Sequence, residues 1–416
     1  MTSFGARAVL IAATLAAFGA AAESIPITVS STTLFAGRPE WRDGQTHTAT
    51  PIIERVGLWT GSLDGTYVQD LRVTVLGWGL ADPSVASGER AAAGDVDLAF
   101  VEGKLFKRRV SLRLGRQLVV GGAVRAMSLD GLSSEVLIWR GLGVSGFGGV
   151  PVLPRFAVGR GDALAGTRVF WRQSIDTEIG ASFVHLQDRG ISGRQDLGID
   201  ARYVPYRDWF LNGSAIWSLL ERRLAEAELT ARWQPRSVQV FATYRVTAPD
   251  LFISRASIFS VFAEERRHEA GGGAFWKPLR GLGLYADCRM LWLDQGTGLD
   301  AVLRATANVG VSTIGAQARF FREPVNNYWQ ARVFGVQPLS RLFSLSGDLD
   351  AYWFEHSINA VPRSFSASAS ANYAFAPGWR GVLSGIAGDT PFFSHRFEVL
   401  ARVVFDFTTR SGGAGR

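Results

Sequence analysis

The chain has 416 residues, 47% hydrophobic and 19% charged, with 47 Gly, 27 Phe, 13 Trp, a single Cys and a formal net charge of +7. That mixture excludes a disordered chain, a collagen-like repeat and a disulfide scaffold. Beyond the N-terminal segment, no apolar run is long enough for a membrane-spanning helix, which leaves a soluble globular protein or a membrane β-barrel. Nearly all the positive charge is arginine, the lysines being Lys104, Lys107 and Lys277, and the arginines are spread singly along the chain. No nucleic-acid partner is expected of such a pattern.

In chain order, residues 1–22 read as a secretory signal peptide. Residues 1–7 are short and basic, 8–19 are apolar, and Ala20, Ala21 and Ala22 supply a small-residue cleavage site before Glu23. The lone Cys288 cannot form an internal disulfide after export, which fits bacterial export better than a disulfide-rich secreted domain. Residues 23–407 are expected to form one domain, with 25–35 as its first strand. The stretch from Glu23 to Pro51 is far too short to fold as a plug domain. Next comes a strand carrying Leu112-Arg113-Leu114-Gly115-Arg116-Gln117, then an expected loop over 121–133 containing Arg125, Asp130 and Gly131. Residues 134–152 split at Arg140-Gly141 into two short strands.

From there the period-two pattern is plain. Ala225, Ala227, Leu229, Ala231 and Trp233 alternate with Glu226, Glu228, Thr230 and Arg232. After a turn at Gln234-Pro235-Arg236, Val238, Val240, Ala242, Tyr244 and Val246 alternate with Gln239, Phe241, Thr243 and Arg245, which reads as a hairpin. A long loop over 247–269 follows. Its 253–262 portion is apolar and is succeeded by Glu264, Glu265, Arg266 and Arg267, a composition suited to an inward constriction, a partner surface or an ordinary rim loop. The Gly271-Gly272-Gly273 run reads as close packing or a bend within a strand. Leu282, Leu284, Ala286, Cys288, Met290 and Trp292 share one face, making Cys288 lipid-facing filler, and Phe365, Ala367, Ala369, Ala371, Tyr373 and Phe375 share another. Trp171, Tyr203, Trp233, Trp276 and Phe375 hold the apolar register close to short turns, as an aromatic belt at a bilayer interface requires. Prolines in the short turns mark strand ends, because proline removes a donor from the ladder.

The last strand alternates Phe397, Val399, Ala401, Val403, Phe405 and Phe407 with Glu398, Leu400, Arg402, Val404 and Asp406. It resembles the C-terminal insertion signal of Gram-negative outer-membrane β-barrels, departing from it in the Gly-rich residues 408–416, which are expected to be a disordered tail. The Leu-Gly-Arg-Gln strand followed by Asp130-Gly131 resembles a segment of porin-like barrels, including the alginate-export type. That resemblance implies an outer-membrane channel or exporter and fixes no substrate. Placing every short turn on the periplasmic side gives an all-β, single-chain antiparallel transmembrane barrel of roughly 22 strands, or about 18 to 20 if the least regular segments fail.

The inward register collects Arg113, Arg168, Arg172, Arg202, Arg232, Arg245, Arg289, Arg304, Arg319, Arg332, Arg380 and Arg402 against Asp97, Glu178, Asp200, Glu226, Glu228, Asp287, Asp348, Asp350 and Glu398. This slight positive excess nominates Arg113, Arg168, Arg202, Arg232, Arg245, Arg289, Arg304, Arg319 and Arg332 as selectivity residues. Arg125, Asp130, Glu264, Glu265, Arg266 and Arg267 are nominated for a constriction. The competing reading is that the charges pair across strands and brace the wall, Glu226 and Glu228 with Arg245 for example. His47, His185, His268, His356 and His395 are expected in loops or strand ends without a nucleophile spacing. No metal-ligand pairing, haem attachment, P-loop or dinucleotide motif is present, so neither cofactor nor enzymatic activity is expected. The expected role is an outer-membrane channel for passive transport of small polar or anionic solutes, with outer-membrane lipid around it. Two alternatives stand beside it: a conduit working with a periplasmic partner protein in polysaccharide export or as a sheath for an electron carrier, and a surface scaffold.

Overall fold

A computed structural model describes residues 26–42, 45–65, 67–84, 92–122, 124–152, 162–188, 190–251, 266–324, 326–391, 393 and 396–409. They form an antiparallel sheet: β1 (Ile27–Arg42), β2 (Gln45–Ala49), β3 (Ile52–Thr60), β4 (Val68–Ala81), β5 (Ala92–Leu105), β6 (Val110–Gly121), β7 (Val124–Trp139), β8 (Leu142–Pro151), β9 (Ala163–Ser174), β10 (Thr177–Asp188), β11 (Ile191–Tyr203) and β12 (Trp209–Ser218). The second half contributes β13 (Arg223–Trp233), β14 (Val238–Thr247), β15 (Arg267–Leu279), β16 (Leu282–Leu293), β17 (Gly296–Val309), β18 (Ser312–Arg322), β19 (Asn327–Pro338), β20 (Phe343–Ile358), β21 (Val361–Ala376), β22 (Trp379–Asp389) and β23 (Arg396–Thr408).

The ring closes where β1 pairs with β23, from Thr28 opposite Thr408 to Gly37 opposite Val399, and with β3 on its other edge, from Ile27 opposite Thr60 to Phe35 opposite Ile52. The result is a closed barrel of 22 strands with β2 outside the ring. Closure pairs the first and last strands of the sheet, as a sheet in hydrocarbon requires. The chain passes from β2 to β3 through Thr50 and Pro51. Pro51 has no N–H for the ladder, so the outer part of β1 carries β2 as a separate projecting hairpin.

Alternation sorts the side chains. Mid-strand Ile199, Leu229, Leu303 and Leu383 are each more than half exposed on the outer face, and Cys288 is exposed among them. The opposite register holds buried Gln117, Arg168, Ser182, Asp196, Asp287, Gln330 and Glu398. Trp171, Tyr203, Trp233, Trp276 and Phe375 are all outward and exposed near one rim, with Trp209 beside Trp233 at 6.2 Å and Trp379 beside Phe405 at 4.4 Å. That rim carries the short turns, such as Arg140-Gly141 with φ of 43° and 87°, the positive pair that a two-residue hairpin turn requires. It is the periplasmic rim.

Four details differ from the sequence reading. The first strand runs to Arg42, well past residue 35, because β2 extends its ladder. The expected 121–133 loop is mostly strand: β7 starts at Val124, so Arg125 and Asp130 lie in a strand and only the second of the two strands split at Arg140-Gly141 is short. Of the residues expected in the tail, Thr408 closes β23 and the Thr409 N–H donates to the Ile27 carbonyl at 2.9 Å, so both belong to the sheet; residues 410–416 fall outside the described residues. His47 lies midway along β2 and His185 within β10, not in loops, while His268 and His356 lie near strand ends as expected; His395 and residues 1–22 fall outside the described residues.

Candidate functional site: the lumen

Opposed inward positions in an antiparallel ladder bring side chains within reach of one another, so charge placed there pairs across strands. Arg113 on β6 faces Glu102 on β5, with Nη2 to Oε2 at 2.8 Å. Arg319 on β18 holds Asp300 on β17 in two parallel bonds of 2.7 and 2.8 Å. Arg245 bonds Glu228 at 2.7 Å and Arg332 bonds Asp348 at 2.9 Å across strands, while Arg289 bonds Asp287, two residues before it on β16, at 2.9 Å. Arg168 is the most enclosed, gripped between Glu178 and Asp200 with its side chain only 9% exposed. Glu226 does not join Arg245; it pairs instead with Arg125.

The remaining nominated arginines differ. Arg202 reaches only the Ile175 carbonyl at 3.5 Å, Arg232 lies over the Phe210 ring at 5.6 Å, and Arg304 donates to the Gln317 amide oxygen at 2.9 Å. Among the described residues none of these three has a carboxylate partner, and neither has Arg402. Arg202 and Arg232 are the penultimate residues of β11 and β13, and Arg304 lies in the lower half of β17. These three therefore lie toward the periplasmic end. Many lumen cations also lie on inward rings: Arg113 on Phe100, Arg168 and Arg172 on Phe170, Arg304 on Tyr285, Lys277 on Phe275 and Arg332 on Phe334, at 4.6 to 5.6 Å. A cation resting over a ring is held in place by the ring, and for Arg113, Arg168, Arg172 and Arg332 this adds to the carboxylate pairing.

The Leu-Gly-Arg-Gln strand builds the narrowing of the pore. Gly115 has a φ of 122°, and a Cβ there would lie 2.2 Å from the Ala99 carbonyl oxygen, so glycine alone suits the bend. Arg116 pins it, bonding Asp130 of β7 at 2.8 and 2.9 Å and the Val96 carbonyl of β5 at 2.8 Å. Beyond this level β6 has no further partner in β5, and β7 is paired with β8 only from Leu129 opposite Pro151 downward. The upper part of the β6–β7 hairpin thus leaves the wall and enters the lumen. Gln117, fully buried, donates to the Arg113 and Gly131 carbonyls and accepts from Ser133.

Val119 and Leu129 of this hairpin pack on Leu164 and Val184 of the inner wall, with Met127, Phe147 and Leu186 around them. Gly122 at the tip abuts the Arg168–Asp200 pair so closely that a Cβ would sit 2.1 Å from Asp200 Oδ1. Arg125 reaches across to Glu226 on β13, with Nε to Oε2 at 2.9 Å. On the periplasmic side of the hairpin lies a cavity of about 980 Å³, lined by Arg113, Ser133, Arg172, Glu178, Arg202 and Ser214 among others.

Of the second nominated loop, Arg267 opens β15 and forms an ion pair with Glu269 at 2.7 Å, and exposed Arg266 precedes it; Glu264 and Glu265 lie outside the described residues. Sequence reasoning missed Gly115, Arg116 and Gly122 as functional positions. A glycine inside an alternating strand was the available signal for the first.

No protein-family model and no curated protein matches the chain. Among solved structures it is similar to the P pilus usher (PapC) translocation pore, with a TM-score of 0.50 and 10% identity, covering 92% of this chain and 100% of that one. It is also similar to OccK5 (OpdH) of Pseudomonas aeruginosa, with a TM-score of 0.47, 10% identity and coverage of 93% and 99%. OccK2 (OpdF) of Pseudomonas aeruginosa in complex with glucuronate gives 0.43, 12%, 93% and 98%. At these identities the likeness is one of fold. A closed antiparallel barrel with an apolar outer belt and a polar interior, with no plug among the described residues, is the bacterial outer-membrane architecture, and that membrane is where the chain resides.

Proposed function

We propose that the barrel is a channel for passive transport of small polar or anionic solutes, delivered to the outer membrane by the leader in residues 1–22. The observation that carries this reading is the combination of an inward hairpin with uncompensated Arg202, Arg232 and Arg304 below it. The hairpin narrows the lumen to solute size, with Arg125 and Asp130 fixing its two ends. The unpaired guanidiniums then lower the barrier for anions that have passed it and raise it for cations. Arg113, Arg168, Arg245, Arg289, Arg319 and Arg332 serve chiefly as braces, since each has a carboxylate against it. A lumen occupied by a packed hairpin suits small solutes better than a polymer or a folded electron carrier. Planar-bilayer recording of the refolded protein across a KCl gradient tests this. A steady conductance with a reversal potential of chloride sign is expected; a correctly folded barrel that conducts no ions, or prefers potassium, overturns it.

A further inference from the structure

Aromatic side chains of membrane barrels ordinarily face lipid at the two interfaces, and an inward ring displaces water in a lumen that is otherwise polar. Most inward rings here lie under a guanidinium, which accounts for them. One group is different. Phe321 on β18, Tyr328 on β19 and Tyr352 and Phe354 on β20 occupy inward positions in the extracellular half of adjacent strands. Phe321 and Tyr328 stack at 5.0 Å, Tyr328 meets Tyr352 at 5.9 Å and Phe354 at 6.2 Å, and Tyr352 and Phe354 lie parallel within 8°. Arg319 covers Phe321 and Tyr328, and among the described residues no cation covers Tyr352 or Phe354.

Polar groups of both kinds border the rings. Gln330 donates to Asp350 at 2.7 Å and to the Tyr352 hydroxyl at 3.0 Å, and Arg319 is engaged with Asp300. The carboxylates of Asp300, Asp348 and Asp350 outnumber the guanidiniums of Arg319 and Arg332, so this part of the lumen repels a small anion while offering donors and acceptors to hydroxyls. Flat apolar faces edged by alternating donors and acceptors match a ring with C–H faces and a hydroxylated rim.

We infer that the Phe321–Tyr328–Tyr352–Phe354 patch is a binding site for a neutral carbohydrate ring entering from the extracellular side. This names a solute class for the channel proposed above and rests on that reading for its transport role. The test is single-channel recording and titration calorimetry of the folded full-length protein with maltotriose and cellotriose, with benzoate as the anionic aromatic comparison. A trisaccharide is expected to bind and to block the current saturably. Tyr328→Ala combined with Phe354→Ala should raise its half-blocking concentration about tenfold or more with KCl conductance retained. Phe354→Leu, which keeps apolar volume and removes the ring face, serves in its place if the double variant does not fold.

Absence of both block and binding heat, tighter binding of benzoate than of either trisaccharide, or block unchanged in the variants overturns the inference. If the barrel conducts no ions the channel reading fails by itself. Calorimetric binding, and its loss in the variants, then still decides the patch.

Discussion

Replacing Arg202, Arg232 and Arg304 together by glutamine removes three charges that have no carboxylate partner among the described residues, and its effect on selectivity can be worked in advance. In a barrel of this width a guanidinium head stands roughly 10 Å from the pore axis. At that distance a unit charge in water contributes about 0.4 kcal/mol, reduced to about 0.15 kcal/mol over one Debye length in 0.1 M salt. The three together favour an anion, and disfavour a cation, by roughly 0.5 kcal/mol each way, which amounts to about four- to fivefold in the anion-to-cation permeability ratio. The assay is the reversal potential across a KCl gradient, with the current–voltage curve taken at both polarities, since charge gathered at one end of a pore makes it rectify. Removing a whole pair, Arg319→Gln with Asp300→Asn, leaves the net charge unchanged and should leave the reversal potential where it was. The reasoning fails if the triple variant keeps the reversal potential of the parent, or if removing the pair shifts it as much.

Replacing residues 117–129 by a short Gly-Ser linker should raise single-channel conductance about twofold or more, because the hairpin then no longer fills the lumen; unchanged conductance would place the narrowest point elsewhere. Arg125→Ala should move conductance in the same direction by less, read as current flicker from a tip that has lost Glu226. Gly115→Val puts a Cβ against the Ala99 carbonyl at a φ of 122° and should cost at least about 1–3 kcal/mol, seen as a lower unfolding temperature in detergent; a stability equal to the parent would contradict the bend. Ala369→Arg, on the exposed outer face midway along β21, should cost about 2–4 kcal/mol near the bilayer midplane, measured by urea titration in lipid vesicles, and a fully stable product would refute the outward register.

The wall was legible because a lipid-facing strand obeys a strict rule. Leu229, Trp233, Met290, Trp292, Phe365 and Phe375 are outward and exposed as their alternation requires, since a slip of one residue would put charge into hydrocarbon. The number of strands in the ring followed from the same rule applied to the turns. What failed was the one segment where the rule lapses by design. Residues 121–128 do not alternate as a wall strand does, because this part of the β6–β7 hairpin has left its ladder neighbours β5 and β8 and packs inside the barrel. There Leu118 and Val120 face the cavity while Val119 and Leu129 seal against Leu164 and Val184. A strand folded into a lumen has two protein- or water-facing sides, and period-two reasoning reads such a stretch as a loop.

The lumen was legible in composition and not in arrangement. Twofold alternation identifies Arg202 and Arg319 equally as inward, yet one ends near a backbone carbonyl and the other in a bidentate pair. Register alone does not decide it: Arg202 stands directly across from Glu178, which Arg168 and Arg172 already occupy, whereas Arg319 reaches the diagonal Asp300. Competition among neighbouring cations chooses the partner, and spacing along one strand does not contain it. Arg245 illustrates the point: Glu226 and Glu228 are both inward and both near it, but Arg245 takes the directly opposed Glu228, and Glu226 is left for Arg125, which lies 101 residues earlier in the chain. The partner that settles the role of Glu226 comes from the hairpin that the periodicity missed. Returning the hairpin to the lumen therefore does two things at once: it fills part of the pore, and it engages Glu226, which the spacing along β13 and β14 had assigned to Arg245.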